Sequence, residues 1–130
     1  MVDALHAAHR ALRAGGTLID LRPDSARPPH VRRDGVDLGG FRERVHARED
    51  SAAGDRAIDR VVRDGDFRHL RSGHFWYSLR FADVARLDAW VATSRRIAGY
   101  GRGTRARLLM LPDGPVTLRR SLKYSILEKD

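Results

Sequence analysis

Leu5-His-Ala-Ala-His-Arg-Ala-Leu-Arg-Ala-Gly-Gly-Thr-Leu-Ile-Asp-Leu-Arg-Pro23 sets the frame for the 130-residue chain. Leu5, Ala8 and Leu12 recur at spacings of three and four, with Ala4 and Ala11 beside them, and so form one apolar face of a helix. The spacing predicts a helix from Asp3 to Ala14, with Asp3 at its N-terminal end and Arg10 and Arg13 suited to the negative end of its dipole. Gly15-Gly16 closes it, because glycine tolerates the left-handed conformation of a C-cap. Thr17-Leu-Ile-Asp-Leu21 follows as a short buried strand, which Pro23 stops because proline cannot donate to a ladder. Helix, Gly-Gly and buried strand together read as half of a crossover unit in a parallel sheet.

Outward from that stretch, Asp24 to Pro29 reads as a loop, and Asp34-Gly35 between short extended runs signals a hairpin. Gly39-Gly40 is expected as a flexible exit, with Phe41 anchored in the core. A helix is expected from Asp50 to Asp64, with Ser51 as N-cap and Ala53, Ala57, Ile58, Val61 and Val62 on one side. Phe67 to Phe81 reads as a strand, since Phe75, Tyr77, Leu79 and Phe81 alternate with more polar residues, and Ser72-Gly73 suggests a bend within it. Asp83 opens a helix whose stripe is Val84, Leu87, Trp90 and Val91, continuing towards Ile97. Arg105 to Leu111 is open between helix and strand, Pro112 to Pro115 is a turn, and Val116 to Leu127 is a long strand with a register change expected near Arg120.

The wording "ALHAAHRALRAGGTLIDLRP" resembles the segment around the fifth strand of class I S-adenosylmethionine-dependent methyltransferases. "FRHLRSGHFWYSLRF" with "ADVARLDAWV" resembles their sixth strand and its helix, and "TLRRSLKYSILEK" their seventh, antiparallel strand. The resemblance implies an α/β fold, α+β in this fragment. It would be a partial Rossmann-like sheet with one parallel-type strand, then antiparallel strands and two to three further helices. Residues 1–130 would form a single domain corresponding to the C-terminal half of that fold. The family's cofactor-binding features, a strand leading to a Gly-rich turn and a second strand ending in an acidic residue, would lie upstream of Met1. Gly99-Tyr-Gly-Arg-Gly103 has suitable letters but is expected to follow a helix instead of a strand. The cofactor half is therefore expected to be absent. On this resemblance the isolated chain is expected to hold no cofactor and to be inactive alone, with S-adenosylmethionine implied only if another chain or an N-terminal extension completes it.

Few residues suggest chemistry by themselves. With no cysteine there is neither disulfide nor thiolate site. His6 and His9 are three apart without a third ligand, so no metal site is expected. Asp55 and Asp59 read as a surface ion-pair set with Arg56, Arg60 and Arg63. The substrate-pocket candidates are Arg22, His74, Trp76 and Tyr77: Arg22 ends the first strand, and ligands of open α/β sheets sit beyond strand ends. No nucleophile–base pair is supported by spacing.

The formal net charge is +8, almost all of it arginine. This leaves a second reading: a non-enzymatic binding module for nucleic acid or an acidic partner, centred on Arg95, Arg96, Arg102, Arg105 and Arg107 with Arg119, Arg120 and Lys123. No apolar run is long enough for a membrane helix and no signal-peptide core is present, which makes a cytoplasmic protein with no membrane partner the expectation. If the methyltransferase resemblance holds without its first four strands, Thr17–Leu21 becomes an uncovered apolar edge, and a homodimer is expected to cover it.

Overall fold

A computed structural model describes residues Met1–Asp130 and shows a mixed α+β chain of four helices and six strands. Its residues fall into two compact units. The first holds Met1–Pro23, Glu49–Phe75 and Leu122–Asp130; the second holds Asp24–Arg48 and Trp76–Ser121. No helix is long and apolar enough to cross a membrane.

In the first unit, α1 (Val2–Ala11) ends earlier than its apolar spacing predicts, because Leu12 already has extended backbone angles. Its last carbonyls are capped from elsewhere in the unit: the Lys129 ammonium donates to the His9 and Leu12 carbonyls at 2.7 and 2.8 Å. Gly15 does take the left-handed conformation (φ 71°), but in the following turn, where its N–H donates to the Lys129 carbonyl. β1 (Thr17–Pro23) pairs residue by residue with the end of β6 (Val116–Glu128), from Thr17 opposite Glu128 to Pro23 opposite Leu122. That ladder is antiparallel, so the parallel partnership expected of β1 is not what its hydrogen bonds form.

α2 (Val45–Arg63) starts a turn and a half before the expected Asp50. Ser51 is consequently inside the helix, not its N-cap. Leu5, Ala57, Ile58, Val61, Phe67 and Leu127 form this unit's core, with Leu18 of β1 packed against it. β4 (Arg68–Phe81) pairs with β6 and runs without a break at Ser72-Gly73. Gly73 is there for a different reason: a Cβ would stand 2.7 Å from the Tyr124 hydroxyl, so the tyrosine ring occupies the space.

The second unit begins with the expected hairpin. β2 (His30–Arg33) and β3 (Val36–Glu43) are antiparallel across Asp34-Gly35, both with positive φ, as a two-residue hairpin turn requires. Gly39-Gly40 is part of β3 and not a loose exit. α3 (Val84–Thr93) is capped by Asp83, whose carboxylate accepts from the Arg86 N–H at 2.8 Å. It stops short of Ile97 because the Ser94 hydroxyl accepts from the Arg96 and Ile97 N–H groups and turns the chain. Ile97–Tyr100 is then β5, antiparallel to β3. Residues left open between helix and strand form α4 (Thr104–Leu109). Val31, Leu38, Phe41, Leu87, Ile97, Leu108 and Leu118 form the heart of this unit's core. Leu79 and Phe81 of β4 pack against it, as their alternation predicts, with Trp90 of α3, whereas Phe75 of the same alternating set is exposed.

Candidate functional site

A cavity of about 590 Å³ in the first unit is lined by Arg22, Asp55, Ile58, Asp59, Val62, Arg63, His69, Ser72 and Ser125. Arg22 is therefore at a concave site, as its strand-end position suggests. Its guanidinium is nevertheless committed to the fold. Nε donates to Asp20 at 2.6 Å, Nη1 to the Ser51 carbonyl at 3.1 Å and Nη2 to Asp55 at 3.0 Å. Asp55 also receives the Lys123 ammonium, at 2.7 Å to each oxygen. Burial pushes the Asp55 carboxyl up, but Lys123 and Arg22 outweigh it and hold the group below the ordinary carboxylate value. Asp55 is thus an ionised acceptor at neutral pH, not a proton donor.

This network corrects the expectation that Asp55 belongs to a helix-surface set with its neighbouring arginines. Its partners come from β1 and β6, while Arg60 pairs along the helix with Asp64 at 3.5 Å. His69, Ser72 and Ser125 supply further polar atoms to the cavity wall, and none of them is a pocket candidate in the sequence. His74 is exposed and does not line this cavity.

Trp76 and Tyr77 belong to the second unit, where arginines cover their rings. The Arg119 guanidinium lies 5.1 Å from the Trp76 ring centre, and Arg120 lies 5.7 Å from Tyr77 and 5.5 Å from Trp90. The tryptophan and tyrosine expected as a pocket wall act there as platforms for the chain's own cations.

Of the basic residues expected as a binding surface, Arg96, Arg105 and Arg107 serve internal acceptors. Arg96 donates to Ser25 and to the Ala47 carbonyl, each at 3.2 Å. Arg107 donates to the Leu38 carbonyl at 2.7 Å. Arg105 pairs with Asp88 at 3.0 Å, and the Tyr100 hydroxyl donates to the same carboxylate at 2.7 Å. The Arg105 hydrogen bond holds the Asp88 carboxyl low against burial, while burial and then Asp88 push the Tyr100 phenol up.

Gly99-Tyr-Gly-Arg-Gly103 stands in a context opposite to the one expected: it leaves β5 and leads into α4. Its glycines are nevertheless consumed by packing. Gly101 donates to the Gly40 carbonyl at 2.8 Å, and a Cβ at Gly101 would stand 2.9 Å from that oxygen. The Thr104 hydroxyl donates to the Gly40 carbonyl as well, at 3.0 Å. Close approach of two backbones explains these glycines without a phosphate. No group of three or more His, Cys, Asp or Glu residues is arranged to hold a metal ion.

Comparison with protein-family models, with curated proteins and with solved structures finds no match to this chain.

Proposed function

We propose that the chain is the acceptor-side part of a methyltransferase-like sheet, without methyl-transfer activity of its own, and that it works as a homodimer joined through β1. The observation that carries this reading is the state of β1. It pairs with β6 along one edge only, and Ile19 and Leu21 on it are 62% and 51% exposed. An apolar strand with one bare edge is a template for a further strand. The arrangement around it also supports the resemblance. β6 pairs antiparallel with β1 along Leu122–Glu128 and with β2 along Thr117–Arg119, and it also pairs with β4. An antiparallel last strand beside β1 is what the methyltransferase resemblance implies for its seventh strand, and it supports the Rossmann-like reading.

A second copy suits the edge because β1 is electrostatically self-complementary. A two-fold axis perpendicular to the sheet keeps each face with its like and therefore pairs residues of equal parity. With Leu21 on the axis, Asp20 of one copy stands opposite Arg22 of the other, so the Asp20–Arg22 pair that each chain already makes faces its counterpart with opposite charges adjacent. The neighbouring register, centred on Asp20, sets two carboxylates against each other. A nucleic-acid surface is the less favoured reading, since Arg96, Arg105, Arg107 and Lys123 of the expected basic set serve internal acceptors.

Light scattering on the eluting protein is expected to give twice the chain mass. Leu21→Lys, which brings two ammonium groups together at the axis, is expected to yield a monomer with an unchanged far-ultraviolet spectrum. A monodisperse wild-type monomer overturns the assembly. Tight binding of S-adenosylmethionine by the chain alone, read by calorimetry, overturns the assignment to the acceptor side.

A further inference from the structure

We infer that a cavity of about 390 Å³ in the second unit is a binding site for an amino-acid-sized zwitterion, with Glu43 taking its ammonium group and Arg48 its anionic group. Ser25, Pro28, Phe41, Arg42, Glu43, Arg48 and Ala98 line it. Its decisive member is Glu43, at the end of β3. The side chain is only 6% exposed, yet its Oε2 has no hydrogen-bond partner. The nearest cation to the carboxylate, the Arg96 guanidinium, stands 3.6 Å from Oε1 and gives its short hydrogen bonds to Ser25 and the Ala47 carbonyl instead. A buried carboxylate oxygen without a donor is costly to leave so, and a donor brought by a ligand relieves it.

The surroundings narrow the ligand. Arg42, Arg48 and Arg96 stand around Glu43, so a purely cationic ligand meets three guanidinium groups. A purely anionic one meets the carboxylate. A molecule carrying both charges answers each group with its opposite. Arg42 spends its Nε on the Tyr100 carbonyl at 3.2 Å, whereas Arg48 is exposed on the first turn of α2 and forms no ion pair. Arg48 is therefore the residue placed to receive the anionic end. Phe41 and Pro28 add apolar surface for a small side chain, and the volume suits a small metabolite. This site lies wholly within the second unit and does not depend on the assembly through β1.

The test is calorimetric titration of the intact protein with L-leucine, its methyl ester and 4-methylpentanoate, which lack the carboxylate and the ammonium group respectively. L-leucine is expected to bind, and each analogue to bind about tenfold or more weakly, the effect of one lost charged hydrogen bond. Glu43→Gln is expected to abolish binding with the far-ultraviolet spectrum unchanged, since the amide keeps the shape of the side chain and removes the charge that receives the ammonium group. Arg48→Ala, at an exposed position, is expected to remove the preference for leucine over its ester with the fold intact. Absence of leucine binding at millimolar concentration, or equal binding by Glu43→Gln, overturns the site. Neither result bears on the oligomeric state.

Discussion

A glycine in the middle of α2 is unfavourable by about 1 kcal/mol against alanine unless the space it leaves is used. At Gly54 it is used: a Cβ there would overlap the Arg22 guanidinium and stand 3.1 Å from the Met1 sulfur. The bare helix backbone lets Arg22 lie flat and reach the Ser51 carbonyl and Asp55 together. Gly54→Ala therefore sets a propensity gain against the loss of those hydrogen bonds and of close packing. The loss wins, because a part-buried guanidinium pushed off its acceptors forfeits charge-assisted bonds each worth about 1.5–3 kcal/mol. Urea unfolding is expected to show net destabilisation of about 2 kcal/mol or more. A variant stabilised by the propensity increment would show that Arg22 does not depend on the glycine. Nothing local marks this role in the sequence. Arg22 and Asp55 are 33 positions apart and Lys123 and Asp55 are 68 apart, so the network exists only after β1, α2 and β6 have met.

Elements with strong local chemistry were legible, and those made by distant partners were not. Asp34-Gly35 specifies its hairpin because both positions need positive φ. Asp83 specifies where α3 begins because its carboxylate satisfies an otherwise unpaired N–H. β5 had no such marker. Ile97–Tyr100 is only four residues long and contains a glycine, and it is held extended by pairing with β3 and by the Phe41–Tyr100 ring contact at 5.1 Å. The same partner explains why the helical pattern beginning at Val84 did not continue to Ile97. Glu43 did leave a trace, an acidic residue two positions after core Phe41 in an extended run, but only the cavity gives that spacing a meaning. Asp83→Ala tests the local class directly. It is expected to cost about 1 kcal/mol in urea unfolding, as loss of an N-cap does. A negligible change would mean that packing of Val84 and Leu87 alone sets the start of α3.

For the molecule as a whole, a charge of +8 is a constant repulsion that carboxylates must offset locally. The shifted carboxyls show where this happens. Asp24, Asp37 and Asp55 lie below the ordinary value although burial opposes it, held down by Arg27 and a backbone N–H at Asp24, by the Gly39 N–H and His30 at Asp37, and by Lys123 and Arg22 at Asp55. Asp88 is lowered chiefly by Arg105. For such groups the unfolded chain binds protons more readily than the folded one, so stability rises with pH across the window between the two values. Their contribution is complete above the unfolded value of about 4 and disappears as pH falls through the lower folded values. Acidification also removes negative charge from a chain already in positive excess, which steepens the fall. Stability from urea midpoints is therefore expected to be level near neutrality and to drop below about pH 4. Asp24 is the most informative position, since its buried carboxylate accepts from Ala26 N–H, Arg27 and the Ser121 hydroxyl. Asp24→Asn should lower stability at pH 7 and make the acid decline shallower. Asp55→Asn does the same at a more exposed site, so the comparison survives if the first variant folds poorly. Acid declines identical to wild type in both variants would place the proton uptake elsewhere.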